Sequence, residues 1–326
     1  MNDLLFIALG LTLLILGSEL ILRGTTRLAL QLGVKPLVLG ITIVAIGTSA
    51  PELAIGITAG AQGRGAMAVG NIAGTNVFNI MFILALSAAI KPLPIQSQIL
   101  RLELPTIIIS SLLMILFALD KNLSQMEGLI MVLAGIAYTI ILIRVSKRET
   151  KKTVQNYEEL FDVKAIVRWR RLAKSRTGYF LLSIVGIIIV VKGADWLVLG
   201  TSELARDLGV SETMIGLTIM AVGTSAPELV TTILSTIKGD RDVAIGNLLG
   251  SSIYNILIVL GISCLITPGG FPVEGELLLI DIPFMVAVVL SLIPVLITGR
   301  KISRIEGILG ILFYLGYMGW VIFLRK

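Results

Sequence analysis

The 326-residue sequence contains no histidine and only one cysteine, Cys264. The first absence removes imidazole-ligated metals and histidine proton relays, and the second removes any disulfide framework. Charge is scarce as well. Asp, Glu, Lys and Arg make up 15% of the chain against 56% hydrophobic residues, and mean hydropathy is +0.96. A soluble domain of this length would carry far more charge. The period-two alternation of an outer-membrane barrel is also missing. The amino terminus, MNDLLFIALGL, lacks a basic lead-in and a small-residue cleavage site, so it reads as a retained first helix rather than a signal peptide.

What the sequence has instead is apolar runs of the length that crosses a bilayer as a helix, about 20 residues. Ten such spans are predicted, near 3–30, 36–60, 66–90, 99–118, 125–145, 177–205, 211–237, 242–266, 277–298 and 304–324. The fold class is an all-α membrane protein seated in the lipid bilayer. Its net charge of +6 sits in one place, because Ser146–Arg176 holds ten Lys/Arg against four Asp/Glu. Beside transmembrane helices such a stretch marks the cytoplasmic side, not a nucleic-acid site. With 146–176 cytoplasmic, both termini lie outside the cell membrane. Arg23, Arg27, Lys35, Lys91, Arg101, Arg300, Lys301 and Arg304 then fall inside. Asp120, Glu127, Glu203, Asp207, Glu274 and Glu276 fall outside, while Arg206, Arg325 and Lys326 run against the bias.

Internal self-similarity sets the architecture. At an offset of 176 residues, GTSAPEL at Gly47–Leu53 lands on GTSAPEL at Gly223–Leu229, and 22 of 50 positions are identical between 31–80 and 207–256. The halves descend from a duplication. Each copy has five spans, an odd number, so the second enters the membrane from the opposite side. The prediction is two inverted-topology five-helix repeats, 1–145 and 177–326, separated by the basic loop 146–176. Repeats of this kind characterise secondary transporters, with the site near the midplane between the copies.

Two repeated segments bear on chemistry. In Gly47–Glu52 and Gly223–Glu228, Pro51 and Pro227 lack an amide hydrogen and break a membrane helix. The break frees carbonyls around Ala45–Ser49 and Ala221–Ser225, which membrane interiors tolerate only where something occupies them. Thr48, Ser49, Thr224 and Ser225 add hydroxyls, and Glu52 and Glu228 add carboxylates. An ionised acid at the bilayer centre costs roughly 3 kcal/mol or more, so two at equivalent positions point to function. The second segment is Gly70–Asn79 with its partner Gly246–Asn255. Gly70 with Gly74 and Gly246 with Gly250 let a helix approach closely. Thr75 with Asn79 and Ser251 with Asn255 present a hydroxyl and an amide on one face. All these ligands are hard oxygens, which suit Ca²⁺ or Na⁺ and not zinc or copper.

Other groups read as structural. Lys192 and Asp195 stand at helix-pair spacing. Glu103 beside Pro105 and Asp281 beside Pro283 lie near span ends, where acids reach towards water. Trp169, Trp196 and Trp320 read as interfacial anchors.

The two GTSAPE segments, each followed by a GN-x-x-G-[ST]-x-x-x-N segment, resemble the α1 and α2 repeats of the cation/calcium exchanger superfamily, prokaryotic Na⁺/Ca²⁺ exchangers above all. The resemblance implies that Glu52 and Glu228 bind Ca²⁺ with the carbonyls of Thr48 and Thr224, and bind Na⁺ in the alternative state. It implies flanking Na⁺ sites at Ala45, Ser49, Thr75, Ala221, Ser225 and Ser251, with Asn79 and Asn255 completing the centre. It further implies that the first and sixth spans slide across the other eight. Some relatives carry aspartate at the position of Asn255, including the potassium-dependent exchangers. Two asparagines here leave two formal negative charges, and exchange at three Na⁺ to one Ca²⁺, the family norm, is then electrogenic and K⁺-independent.

The expected activity is secondary antiport of Na⁺ and Ca²⁺ by a monomer, with no cofactor and no enzymatic step. Ca²⁺/H⁺ antiport through the same glutamates is the alternative, although proton-coupled relatives tend to place glutamine where Asn255 stands. A Ca²⁺-permeable channel is more remote, since paired carboxylates hold Ca²⁺ too tightly for conduction. Hydrolysis is disfavoured because no nucleophile stands paired with a base. At about 30 residues the basic loop is too short for a regulatory Ca²⁺-binding domain.

Overall fold

The computed structural model of the protein describes residues 2–34, 36–149, 175–208, 221–273 and 275–323. Most of the basic loop, Trp169, Lys35, Glu274, Arg325, Lys326 and the start of the predicted span 211–237 lie outside the described residues.

The first half of the chain begins with α1 (Asn2–Leu32), followed by α2 (Pro36–Thr48) and α3 (Ala50–Ala61). It continues through α4 (Gly65–Ile90), α5 (Ile99–Ala118) and α6 (Gln125–Glu149). The second half runs through α7 (Arg176–Asp207), α8 (Ala221–Thr224) and α9 (Ala226–Lys238). It closes with α10 (Arg241–Ile266), α11 (Leu277–Ile297) and α12 (Arg304–Phe323). At the 176-residue offset α3 falls on α9, and α4 falls on α10. Among the described residues, two short antiparallel strand pairs tie loops of one half to loops of the other. They are Leu93–Pro94 with Lys301–Ile302, and Asn122–Leu123 with Phe271–Pro272.

Among the described residues, seven helices are long and apolar enough to cross a membrane, or eight when α2 and α3, bent by 42° at their junction, count as one broken span. The sequence predicts ten. Hydropathy runs smoothly over the break at Ser49, which the backbone does not. Part of 211–237 lies outside the described residues, and α12 carries Arg304 and Glu306 in its first turn.

The long helices α1 and α7 pack along their whole length, and glycine is the reason. Gly10, Gly17 and Gly24 recur every seven residues on α1, and Gly186, Gly193 and Gly200 do so on α7. A Cβ at Gly10 would stand 2.6 Å from the Leu197 nitrogen, and one at Gly186 would stand 2.8 Å from both the Gly17 oxygen and the Ile21 nitrogen. The contacts pair rising numbers on α1 with falling numbers on α7, so the two helices are antiparallel. With backbones this close, van der Waals contact holds the pair. In the same way Gly246 and Gly250 bring α10 against α2, where an added Cβ would meet the Leu37 oxygen at 2.7 Å and the Ile41 oxygen at 2.6 Å. Gly70 and Gly74 make no such approach among the described residues, and their equivalent partners, 213–217, fall outside them.

Among the described residues, five helical turns are widened to π geometry: Gly40–Val44, Asn79–Leu84, Ile99–Glu103, Asn255–Leu260 and Leu277–Asp281. Those before Pro105 and Pro283 absorb the ring's clash with the carbonyl four residues back. Helices α4 and α10 are the most enclosed, with 72% and 78% of their apolar windows buried, so they form the centre of the molecule.

Among the secondary acids, Lys192 and Asp195 form the expected pair at 3.2 Å on an exposed face. Glu103 is a correction. It does not reach water but is fully buried, accepting a hydrogen bond from Gln98 Nε2 at 3.0 Å. Burial on this scale needs a donor, and Gln98 supplies one five residues before it. Trp196 packs edge-on against Phe6 of α1, and Trp320 stacks at a tilt beside Tyr317.

Candidate functional site: a carboxylate pair at two helix breaks

Both proline motifs break the helix at the same residue type in the same conformation. Ser49 sits at φ −79°, ψ 11° and Ser225 at φ −89°, ψ 7°, and each proline then occupies the first turn of the helix that follows. A proline is at home there, because first-turn amides have no intrahelical partner. Glu52 and Glu228 therefore lie in the first turns of α3 and α9, where exposed amides and the helix dipole favour negative charge.

Not all the expected carbonyls are bare. The Ala45 oxygen accepts from the Ser49 amide at 3.1 Å, and the Ser49 and Ser225 oxygens accept from the Leu53 and Leu229 amides. The break is tighter than a fully unwound segment would be.

The side chains converge from both halves. Glu52, Glu228, Thr48, Asn79, Ser225, Ser251 and Asn255 are fully buried, with Ser49 at 1% and Thr75 at 4% exposure. Ser49 Oγ, at the first break, donates to Glu228 Oε1, at the second, across 3.4 Å. Ser251 Oγ lies 3.4 Å from the same oxygen, 3.4 Å from the Ala45 carbonyl and 3.5 Å from Thr48 Oγ1. Glu52 stands within electrostatic reach of Glu228. Both Glu52 oxygens, Glu228 Oε2, Ser225 Oγ and the amide atoms of Asn79 and Asn255 have no hydrogen-bond partner among the described residues. Burying so many polar atoms unpaired is costly unless something else ligates them.

Thr75 is buried in α4, but no described hydrogen bond joins it to the network. Thr224 is half-buried at the second break, and the Ala221 side chain falls outside those described.

Sequence reasoning missed two things. Asn79 and Asn255 each open a π-turn, a widening common at functional sites that leaves no composition signal. Asn247 is also part of the centre: its Oδ1 accepts from Thr48 Oγ1 at 3.3 Å and its Nδ2 donates to Thr232 Oγ1 at 3.1 Å. The repeated Gly-Asn dipeptide was the available signal, since Asn71 and Asn247 coincide at the offset.

The sodium/calcium exchanger protein model matches residues 3–144 and 178–323, nearly the whole chain. The chain belongs to the sodium/calcium exchanger protein family. Among its relatives is the sodium/calcium exchanger MaX1 of Methanosarcina acetivorans, 30% identical with 97% of each chain covered. The inner membrane protein YrbG of Escherichia coli is 30% identical over 78% of this chain and 76% of its own. The solved sodium-calcium exchanger NCX_Mj superimposes with a TM-score of 0.81 at 25% identity, covering 98% of both chains. This exchanger is thus a multi-pass membrane protein that carries cations and not an enzyme. Its ions are cargo, not cofactors.

Proposed function

We propose that this exchanger drives Ca²⁺ across the plasma membrane against Na⁺ by alternating access, with Glu52 and Glu228 as the shared ligands. The observation that carries the reading is the bond from Ser49 of one break to Glu228 of the other, which makes the two motifs one site. Neighbouring oxygens there stand 3.4 Å apart. That is about the ligand–ligand spacing around a cation held at about 2.4 Å, the distance for Ca²⁺ and comparable hard cations. Thr48, Thr224, Ser49, Ser225, Thr75, Ser251, Asn79, Asn255 and the carbonyls of Ala45 and Ala221 complete the ligand set.

Two carboxylates and two buried asparagines give the centre two formal negative charges. One Ca²⁺ neutralises it, and three Na⁺ leave one positive charge in excess, so exchange at three to one is electrogenic. The antiparallel run of α1 and α7 supports the inverted-repeat reading and a complement of ten spans. Their glycine seam lets the two helices slide as one body. Large apolar side chains such as Leu5, Leu16, Ile109, Leu116, Leu312 and Phe313 are exposed, which suits a monomer surrounded by lipid. The termini lie outside and 146–176 lies in the cytoplasm.

The test is ⁴⁵Ca²⁺ uptake into vesicles loaded with Na⁺ or with acid. Uptake follows the outward Na⁺ gradient and is enhanced by an inside-positive potential. Uptake that follows the proton gradient and ignores Na⁺ would replace this reading with Ca²⁺/H⁺ antiport.

A further inference from the structure

The two halves differ sharply along one helix face. After Glu228, α9 carries Thr231, Thr232, Ser235 and Thr236, all fully buried. The equivalent positions after Glu52 on α3 are Ile55, Gly56, Ala59 and Gly60. Both helices end in the same turn. Gly63 and Gly239 adopt φ of +67° and +86°, and the next amide bonds back to the Ala59 oxygen at 2.8 Å or the Ser235 oxygen at 2.9 Å. That turn presents Arg64 exposed in the first half and Asp240 buried in the second, at 2% exposure.

The hydroxyl face meets α1. Ser18 Oγ lies 3.1 Å from Thr231 Oγ1, Thr26 Oγ1 donates to Asp240 Oδ2 at 2.7 Å, and Lys238 pairs with Glu19. On its inner side Thr232 accepts from Asn247, which in turn accepts from Thr48 at the centre. Buried polar side chains therefore recur on each turn of α9 between Glu228 and Asp240. Ser235 Oγ donates to the Thr231 carbonyl, which leaves the hydroxyl lone pairs free to ligate a passing cation. Asp240 Oδ1 has no hydrogen-bond partner among the described residues. Serines and threonines in membrane helices often bond only to their own backbone, but that habit explains neither the acid at the end of the row nor its clamp to α1.

We propose that the α1–α9 seam is the closed cation route between the carboxylate pair and the face carrying Gly239. In this route Thr26–Asp240 is the gate, and Asp240 is the acid that draws cations in. The inference rests on Glu52 and Glu228 forming the ion centre. On α3 itself the equivalent face carries no hydroxyl, and Ser263 of α10 and Thr267 just after it stand against Gly56 and Gly60 instead, so the two directions of access are chemically unequal.

The test uses the full chain with Cys264, the one native thiol, replaced by alanine and Ser235→Cys introduced, reconstituted in vesicles. Impermeant cationic and anionic methanethiosulfonates are applied from either side, with Lys301→Cys and Arg64→Cys marking the two faces. Ser235→Cys reacts from the Lys301 face alone, and the cationic reagent is faster by about tenfold, as expected of a negatively lined cleft. Adding Asp240→Asn removes that preference. Adding Thr26→Val speeds labelling by about tenfold or more, the worth of a hydrogen bond to a charged group. Thr231→Cys gives the same pattern should Ser235→Cys fail to fold. Labelling from the Arg64 face, equal rates for the two reagents, or a site inert from both sides in vesicles that still exchange would overturn the proposal. Sided, cation-selective labelling in a chain that moves no Ca²⁺ would leave the gate standing and remove the exchange reading instead.

Discussion

Replacing Glu52 by glutamine separates the two effects expected of this carboxylate. Its oxygens are fully buried and have no hydrogen-bond partner among the described residues. Without a cation, an ionised Glu52 costs the fold roughly 3 kcal/mol or more, and the neutral amide removes that cost. With Ca²⁺ the balance reverses. Taking one partner from a buried charge pair costs about 3–5 kcal/mol, which is two to about four orders of magnitude in affinity. Thermal unfolding of the purified protein with and without Ca²⁺ reads both effects. At a Ca²⁺ concentration about 100 times the dissociation constant, the native protein gains about 2.7 kcal/mol. Glu52→Gln at the same concentration gains less than about 0.5 kcal/mol, yet is no less stable than native when ion-free. Glu228→Gln behaves alike for Ca²⁺, although Ser49 and Ser251 still find an acceptor there. A full Ca²⁺-dependent shift, or retained exchange, in either variant would refute the shared site.

Two further outcomes follow from packing and from titration. Gly193→Ala places a methyl group 2.8 Å from the Leu14 nitrogen and lowers stability by about 1–3 kcal/mol. Gly316→Ala, where nothing lies within 4 Å, raises it by up to about 1 kcal/mol; calorimetry or a dye-based melt compares them. Burial pushes the Asp240 carboxyl up to about 6, helped by the charge of Asp242 and opposed by the bond from Thr26. Lys238 and Arg241 flank it in sequence, and Lys91 approaches the turn at Gly239. A raised acid pKa means that protonation favours this latched conformation over one that exposes the acid. Acidification from pH 7 through 6 towards 4 therefore strengthens the latch, by at most about 3 kcal/mol. Labelling at Ser235→Cys, corrected for thiol ionisation with Arg64→Cys, slows over that range, and Asp240→Asn is slow and flat throughout. A rate that rises on acidification would contradict the assignment.

Much of the candidate site is legible in the sequence alone. GTSAPEL occurs twice at one offset, and an unpaired glutamate beside a proline in an apolar run has few structural explanations. The π-turns at Asn79 and Asn255 were not legible, because widening a turn by one residue changes no composition. Nor was the role of Asn247, since an asparagine next to a glycine reads the same whether it faces lipid, backbone or the Thr48 hydroxyl. Glu103 was misplaced for a related reason. Nearness to a span end says nothing about which way a side chain points, and Gln98 turns it inward.

By itself the sequence determined the class, the repeat and the two acids, because each rests on local physics: span length in a bilayer, self-similarity, and the charge and backbone chemistry of Glu and Pro. Only the tertiary structure decided which hydroxyl meets which carboxylate, that heptad glycines on α1 and α7 face each other antiparallel, and that Thr26 closes on Asp240. These are contacts between residues as much as 214 positions apart, and pairing at that range is set by how helices pack, not by the order of residues along any one of them.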